Sequence, residues 1–352
     1  MNKDLSKKFC KAPWDFLLVG TDYATQCCYI HKNIGKIKSG DLFDVWNSTE
    51  AMEVRRSILD GDFRYCKQEI CPFIQEDTLP DKDSEDPFIR SIVDNYILEY
   101  NGIPGYIHLC NDLSCNLECP SCRKEKITQY LNEEEFKIND EFQLKLLELL
   151  EKNPEKIVTI NITGSGDPFA SKLYREFLFS IDGEKYPNLR IGLQTNAVMM
   201  TPKYWDKIKR IHKNLTHVLI SFDAATKEVY DKIRVGGDWV LLNKNVKYLQ
   251  EEIDKHQYNF YVEMSFILQQ KNYKDLPKFV ELANEYGFTP APYLIYPWYE
   301  STFFTEAMVY KEDHNEYQSF LEMLRHPNFD KYNVKWGNVT PYRNLAIKKN
   351  EQ

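Results

Sequence analysis

The stretch LCNDLSCNLECPSCRKEK, residues 109–126, holds four of the nine cysteines of a 352-residue chain. Cys115, Cys119 and Cys122 are separated by three and then two residues. That spacing lets a single loop wrap three thiolates around one metal centre. The loop follows a short apolar strand, GYIHLCND, so the thiols sit at a strand end. Three thiolates leave a fourth position open, on a zinc ion or on one iron of a cubane. A structural zinc is normally closed by four protein ligands. The nearest extra thiol, Cys110, lies within the strand and reads as a free buried cysteine. No nearby HxxxH supplies the missing ligand.

The remaining cysteines, Cys10, Cys27, Cys28, Cys66 and Cys71, crowd the first 75 residues, and none follows Cys122. The total is odd and the N-terminus MNKDLSKKFCKAPW has no apolar export signal. The expectation is therefore a reducing, cytoplasmic setting in which thiols hold metal and do not form a disulfide framework. Lys plus Arg is 45 and Asp plus Glu is 53, a formal net charge of −8. This balance argues against nucleic acid and anionic membrane as partners. Hydrophobic residues make up 43% and aromatics 14%, enough for a large core. No apolar run approaches the roughly 18 to 20 residues of a membrane span.

Outward from the cysteine loop, residues 101–300 alternate strand-like and helix-like runs. The strands are GYIHLCND, KIVTINITG, LRIGLQTN, HVLISFDA, NFYVEMSFIL and PAPYLIYP, with amphipathic segments between them. Such alternation predicts an α/β fold with a parallel sheet, and six units suit a partial (β/α)6 TIM-like barrel. Ligands in such folds collect at the C-terminal strand ends. Residues 1–75 read as a small cysteine-rich domain: a strand DFLLVG, a turn, a second short strand, and a helix over 42–61 stopped by Gly61. Residues 76–100 begin with the charged EDTLPDKDSEDP and read as a linker. Residues 301–352 read as a C-terminal helical extension with one helix in HNEYQSFLEMLRH. His108 reads as a core histidine, and the tyrosines of PYLIYPWYE as packing.

The Cys-x3-Cys-x2-Cys spacing after a first strand resembles the radical S-adenosylmethionine (SAM) superfamily. Two further strand ends agree in order and place. ITGSGDPF resembles the family's Gly-Gly-Glu-type segment, with Ser165, Gly166 and Asp167 at those positions and Asp in place of Glu. VLISFDAATKEVYDKIR resembles its Ser-x-Asp segment. Between them, QTNA matches a familiar position with Thr195 and Asn196. The resemblance spans about residues 106–270. It implies that Cys115, Cys119 and Cys122 bind a [4Fe-4S] cluster and that SAM chelates the open iron. Asp167 is then placed at the methionyl amine, Ser221 and Asp223 near the ribose and methionyl part, and Arg234 toward the carboxylate. The activity implied is reductive SAM cleavage to a 5′-deoxyadenosyl radical that abstracts hydrogen from a substrate. Ser121 stands where an aromatic often precedes the last cysteine.

The N-terminal run FCKAPWDFLLVGTDYATQCCYI, with NIGKI, LFDVWNSTEAMEVRR and YCKQEICPF after it, resembles the SPASM/twitch auxiliary iron–sulfur module. The resemblance implies a second [4Fe-4S] cluster on Cys10, Cys66, Cys71 and either Cys27 or Cys28. Adjacent strand residues face opposite ways, so one of the two binds; Cys27 is slightly favoured. In most relatives this module follows the barrel, whereas here it precedes it. Four thiolates close that cluster, which then serves as an electron relay or acceptor.

The family reading expects an oxidoreductase-like enzyme that dehydrogenates, epimerises or modifies a peptide or a small carbohydrate-like molecule. It expects electrons from a flavodoxin- or ferredoxin-type donor. Two other classes compete with it. One is a non-catalytic metal-binding or electron-transfer protein that keeps the clusters. The other is a zinc-stabilised nucleic-acid module, which the acidic balance disfavours. At the level of single residues, Thr195 and Asn196 also read as a helix cap, and Asp223 with Arg234 as a structural ion pair.

Overall fold

The computed structural model describes residues 4–38, 41–297 and 300–348. Trp298 and Tyr299 of the PYLIYPWYE run lie outside them. Eight strands are assigned: β1 (Phe16–Val19), β2 (Ala24–Thr25), β3 (Tyr106–Leu109), β4 (Val158–Ile162), β5 (Leu189–Thr195), β6 (Leu215–Ser221), β7 (Tyr261–Leu268) and β8 (Thr289–Leu294). From β3 onward each strand is followed by helix, including Glu133–Lys152, Lys172–Ser180, Trp239–His256 and Leu276–Glu285. The fold is α/β with parallel strands, as the alternation predicts. Compactness divides the chain into two units. The first is Met1–Leu113, Leu131–Ser165 and Glu176–Ile191, and the second is Ser114–Tyr130, Gly166–Arg175 and Gly192–Gln352.

In the first unit the strand order is β2-β1-β3-β4. β1 pairs antiparallel with β2 and parallel with β3, and β3 pairs parallel with β4. Leu17, Val19, Ile107 and Leu109 are buried at alternate positions, which fixes the register by giving each strand one apolar face. DFLLVG therefore adds a parallel strand beside Tyr106–Leu109. Phe9, Trp14, Ile58, Phe63, Ile74, Ile89 and Ile92 form the core of the cysteine-rich region. Phe9 stacks on Trp14 at 5.3 Å.

The segment read as a linker is packed instead. Pro80 O accepts from Phe9 N–H at 2.8 Å. Lys82 Nζ donates to Ser6 O and Leu59 O at 2.7 and 2.8 Å. The helix expected over 42–61 is two helices, Leu42–Trp46 and Thr49–Asp60. Ser48 breaks it because its hydroxyl caps the second, accepting from Ala51 N–H at 3.1 Å. Gly61 ends that helix at φ +85°, where a Cβ would stand 2.6 Å from Ser6 O.

In the second unit β6, β7 and β8 pair parallel. The C-terminal extension supplies partners along β8. Lys335 N–H donates to Pro290 O at 3.0 Å, and Leu294 N–H donates to Asn338 Oδ1 at 3.1 Å. An otherwise unpaired edge is thereby partly covered. On β7 the buried Glu263 carboxylate accepts from Tyr293 Oη and Lys335 Nζ, both at 2.6 Å.

His212 is buried in the 3-10 turn Lys209–Asn214 and stacks on Trp205 at 4.4 Å. As the neutral ring, its Nε2–H donates to Trp205 O at 3.1 Å and its Nδ1 accepts from Tyr258 Oη at 2.9 Å. Burial lowers its pKa from 6.5 to about 4. The unfolded chain therefore takes up this proton first as pH falls. Stability rises with pH across the window between those two values and is lost on acidification through it. Urea unfolding from pH 7 to pH 4 is expected to show this His212 contribution, at most about 3 kcal/mol. His212→Gln should flatten that part of the profile.

Candidate metal and cofactor site

The three clustered thiols belong to the second unit, in a loop closed by Cys115 N–H donating to Ile127 O at 2.7 Å. A tight turn places Cys122 N–H and Arg123 N–H on Cys119 O, at 2.9 and 3.0 Å. Cys115 and Cys119 are buried and Cys122 is exposed. Each sulfur has an N–H donor. Leu117 N–H and Asn196 Nδ2 reach Cys115 Sγ at 3.4 and 3.6 Å. Arg234 reaches Cys119 Sγ at 3.9 Å, and Arg123 reaches Cys122 Sγ at 3.5 Å. Burial pushes the Cys115 thiol up to about 12 and raises Cys119, while Arg123 and Arg234 act in the opposite sense. These thiols therefore keep their protons unless a metal displaces them.

Asp167 is fully buried and its carboxylate accepts four hydrogen bonds. Oδ1 accepts from Phe169 N–H and Ala170 N–H at 3.0 and 3.2 Å. Oδ2 accepts from Thr195 Oγ1 and Asn196 N–H, both at 2.8 Å. Its own N–H donates to Ser114 O at 3.0 Å, beside Cys115. The residue expected at a methionyl amine thus has its acceptor positions engaged within the chain. Burial pushes its pKa up, against the four donors that lower it. Thr195 and Asn196 do not cap a helix; the next helix starts after Thr201. Asn196 Nδ2 also donates to Asn116 Oδ1 at 2.9 Å.

The buried Asp223 and the half-buried Arg234 meet as an ion pair, Oδ2 to a guanidinium nitrogen at 2.7 Å. Arg234 Nε and Tyr230 Oη are buried with no protein partner. An unpartnered guanidinium edge fits a carboxylate ligand. Ser221 ends β6 opposite Ser265. Gly166 opens the segment leading to Asp167. Ser165 belongs to the first unit, where its hydroxyl donates to Cys110 O at 2.9 Å. Asn116, Arg123 and Ser114 were not singled out by motif, although Arg123 directly follows the last cysteine.

The other thiols lie in the first unit. Cys71 is in the apolar core, with Cys10 and Cys66 packed against it. Cys66 bridges to Ile30, and Tyr29 N–H donates to Cys27 Sγ at 3.3 Å. Burial pushes Cys10 up to about 11 and Cys27 up to about 12, and raises Cys66, with the charges of Cys10, Cys27 and Cys71 adding to the rise at Cys66. Cys28 instead acts on Cys110, Tyr23 and Tyr106. The adjacent cysteines therefore differ in surroundings, and the charge of Cys27 is felt together with those of Cys10, Cys66 and Cys71. Among the described residues, no three His, Cys, Asp or Glu side chains are gathered tightly enough for a single metal ion. Thiolates of a cubane each bind a different iron and so stand farther apart than ligands of one ion.

Residues 113–286 match the Radical SAM superfamily. The FeMo cofactor biosynthesis protein NifB of Chlorobaculum tepidum is 26% identical over 147 residues, which cover 40% of this chain and 33% of that protein. Among solved structures, Streptococcus suis SuiB bound to precursor peptide SuiA aligns with a TM-score of 0.47 at 15% identity, covering 84% of this chain and 64% of that one. The radical SAM methyltransferase TsrM of Kitasatospora setae, with cobalamin and a [4Fe-4S] cluster bound, aligns with a TM-score of 0.38 at 11% identity, covering 52% and 35%. The chain thus spans about a third of the length of the curated relative it matches.

Truncating Asp167 strands four donors in a dry interior. Asp167→Ala is expected to cost at least about 3 kcal/mol in unfolding free energy, and Thr195→Val, which removes one donor, about 1 kcal/mol. Urea midpoints at pH 7 for the two variants provide the check.

Proposed function

From the radical SAM domain at residues 113–286, we propose that this chain is a radical SAM enzyme carrying two [4Fe-4S] clusters. The observation that carries the reading is the provision of an N–H donor to each of the three loop thiols. Cys115, Cys119 and Cys122 hold one cluster and leave one iron for SAM. When bound, the cluster and SAM supply one-electron cleavage to a 5′-deoxyadenosyl radical that takes hydrogen from substrate. The chain's own residues bind and orient. The free Arg234 Nε–H edge suits the methionyl carboxylate. Gly166, Thr195, Asn196, Ser221 and Asp223 complete the strand-end lining, while Asp167 holds Thr195 and Asn196 in place. Burial of Cys115 and Cys119 keeps water from that side of the centre.

The second cluster is held by Cys10, Cys27, Cys66 and Cys71 in a SPASM/twitch-like module. With four thiolates it has no open iron, and its role is to relay or accept an electron. The reaction is a dehydrogenation, epimerisation or other modification of a peptide or a small carbohydrate-like substrate. A flavodoxin- or ferredoxin-type donor reduces the enzyme, which works in the cytoplasm. No described helix is long and apolar enough to cross a membrane.

Anaerobic reconstitution is expected to give about eight irons per chain and, with reductant and SAM, 5′-deoxyadenosine. Cys122→Ala should lose about half the iron together with SAM cleavage. Cys27→Ala should lose about half the iron yet keep SAM cleavage, whereas Cys28→Ala should keep the full load. Zinc in place of iron, with no cleavage, would sink the proposal.

A further inference from the structure

Arg234 is divided between two acceptors in the second unit. One guanidinium nitrogen pairs with Asp223 Oδ2 at 2.7 Å, and another reaches Cys119 Sγ at 3.9 Å. The Asp223 and Arg234 side chains are 2% and 13% exposed, so solvent screens the pair little. Both ends are held in place. Asp223 lies at φ 63°, a left-handed backbone uncommon for a residue with a Cβ. Its Oδ1 accepts from Ile267 N–H at 2.7 Å and its carbonyl from Asn272 Nδ2 at 2.9 Å. On the other side, Arg234 N–H donates to Tyr230 O at 2.7 Å at the end of the helix Lys227–Ile233. The next residue, Val235, accepts through its carbonyl from Glu118 N–H at 3.0 Å, one residue before Cys119. The cation's place beside that sulfur is thus set by the backbone on both sides and by its counter-ion.

We propose that the Arg234–Asp223 pair sets the reduction potential of the centre held through Cys119, with the guanidinium raising it and the carboxylate holding that effect back. Potentials of iron–sulfur centres follow net charge, hydrogen bonds to sulfur and solvent exposure, and this pair supplies the first two. Reduction adds an electron to the centre. A buried cation next to a ligand sulfur favours the reduced state, and a buried anion just behind it opposes that state. The inference rests on the reading of Cys115, Cys119 and Cys122 as cluster ligands.

The test is an EPR-monitored redox titration of the reconstituted full chain without SAM. The relevant signal is the one lost in Cys122→Ala. Relative to the unsubstituted chain, Arg234→Gln is expected to lower the midpoint and Asp223→Asn to raise it. Each should change the reduced-to-oxidised ratio at fixed poise about tenfold, which is about 59 mV for a one-electron couple. Arg234→Lys keeps the charge and should leave the ratio within about threefold. A purely structural role predicts shifts of the same sign in both variants or none, and either result overturns the inference. If Arg234→Gln fails to assemble the centre, the Asp223→Asn rise and the Arg234→Lys match must both still appear, and absence of either is decisive against it. A Cys122→Ala chain that keeps its full iron load defeats instead the ligand reading on which the inference stands.

Discussion

Four donors converge on the Asp167 carboxylate, and the arrangement of the candidate site depends on that convergence. Through Oδ2 it holds Thr195 and the backbone of Asn196, and through its own N–H it holds Ser114. Asn196 in turn directs its amide to Cys115 Sγ and Asn116. The end of β5 and the start of the cysteine loop are therefore organised by one buried anion. A carboxylate taken from water is tolerated only where its lone pairs are filled, and here they are filled by backbone and side chain of the same unit.

Burial raises the cost of deprotonation in both groups of thiols, and the charges around them differ. Around Cys115 and Cys119 guanidinium groups and amide donors offset part of that cost, while Asp167 and Asp223 add to it. Around Cys10, Cys27 and Cys66 the neighbouring thiols add their own repulsion to the cost of burial. Without metal this second group is poorly suited to carry charge. In the proposed four-thiolate cluster, metal uptake would relieve that repulsion and would be linked to folding of the region.

Much of this was legible in the chain. The β-α alternation predicts the sheet, and the spacing of Cys115, Cys119 and Cys122 predicts their shared loop. Gly61 marks its helix end correctly. What was not legible depends on long-range packing. EDTLPDKDSEDP looks like a linker because its charges and prolines are local properties, whereas Lys82 finds carbonyls at Ser6 and Leu59 far away in sequence. Cys27 and Cys28 are indistinguishable by type, and only the direction of the local backbone separates their surroundings. Asp167 matches a motif position, but its four partners come from two segments that no spacing rule connects. The pairing of Asp223 with Arg234 was visible as a bland alternative, while the sulfur beside it was not.

In the proposed enzyme, three thiolates of one loop hold an iron–sulfur centre with one position open to SAM. The most direct measurement is the EPR spectrum of the dithionite-reduced Cys27→Ala chain, recorded before and after addition of SAM. A [4Fe-4S] signal whose g-values shift when SAM is added is expected. An unchanged spectrum, or a chain with no iron–sulfur signal at all, would contradict the proposal.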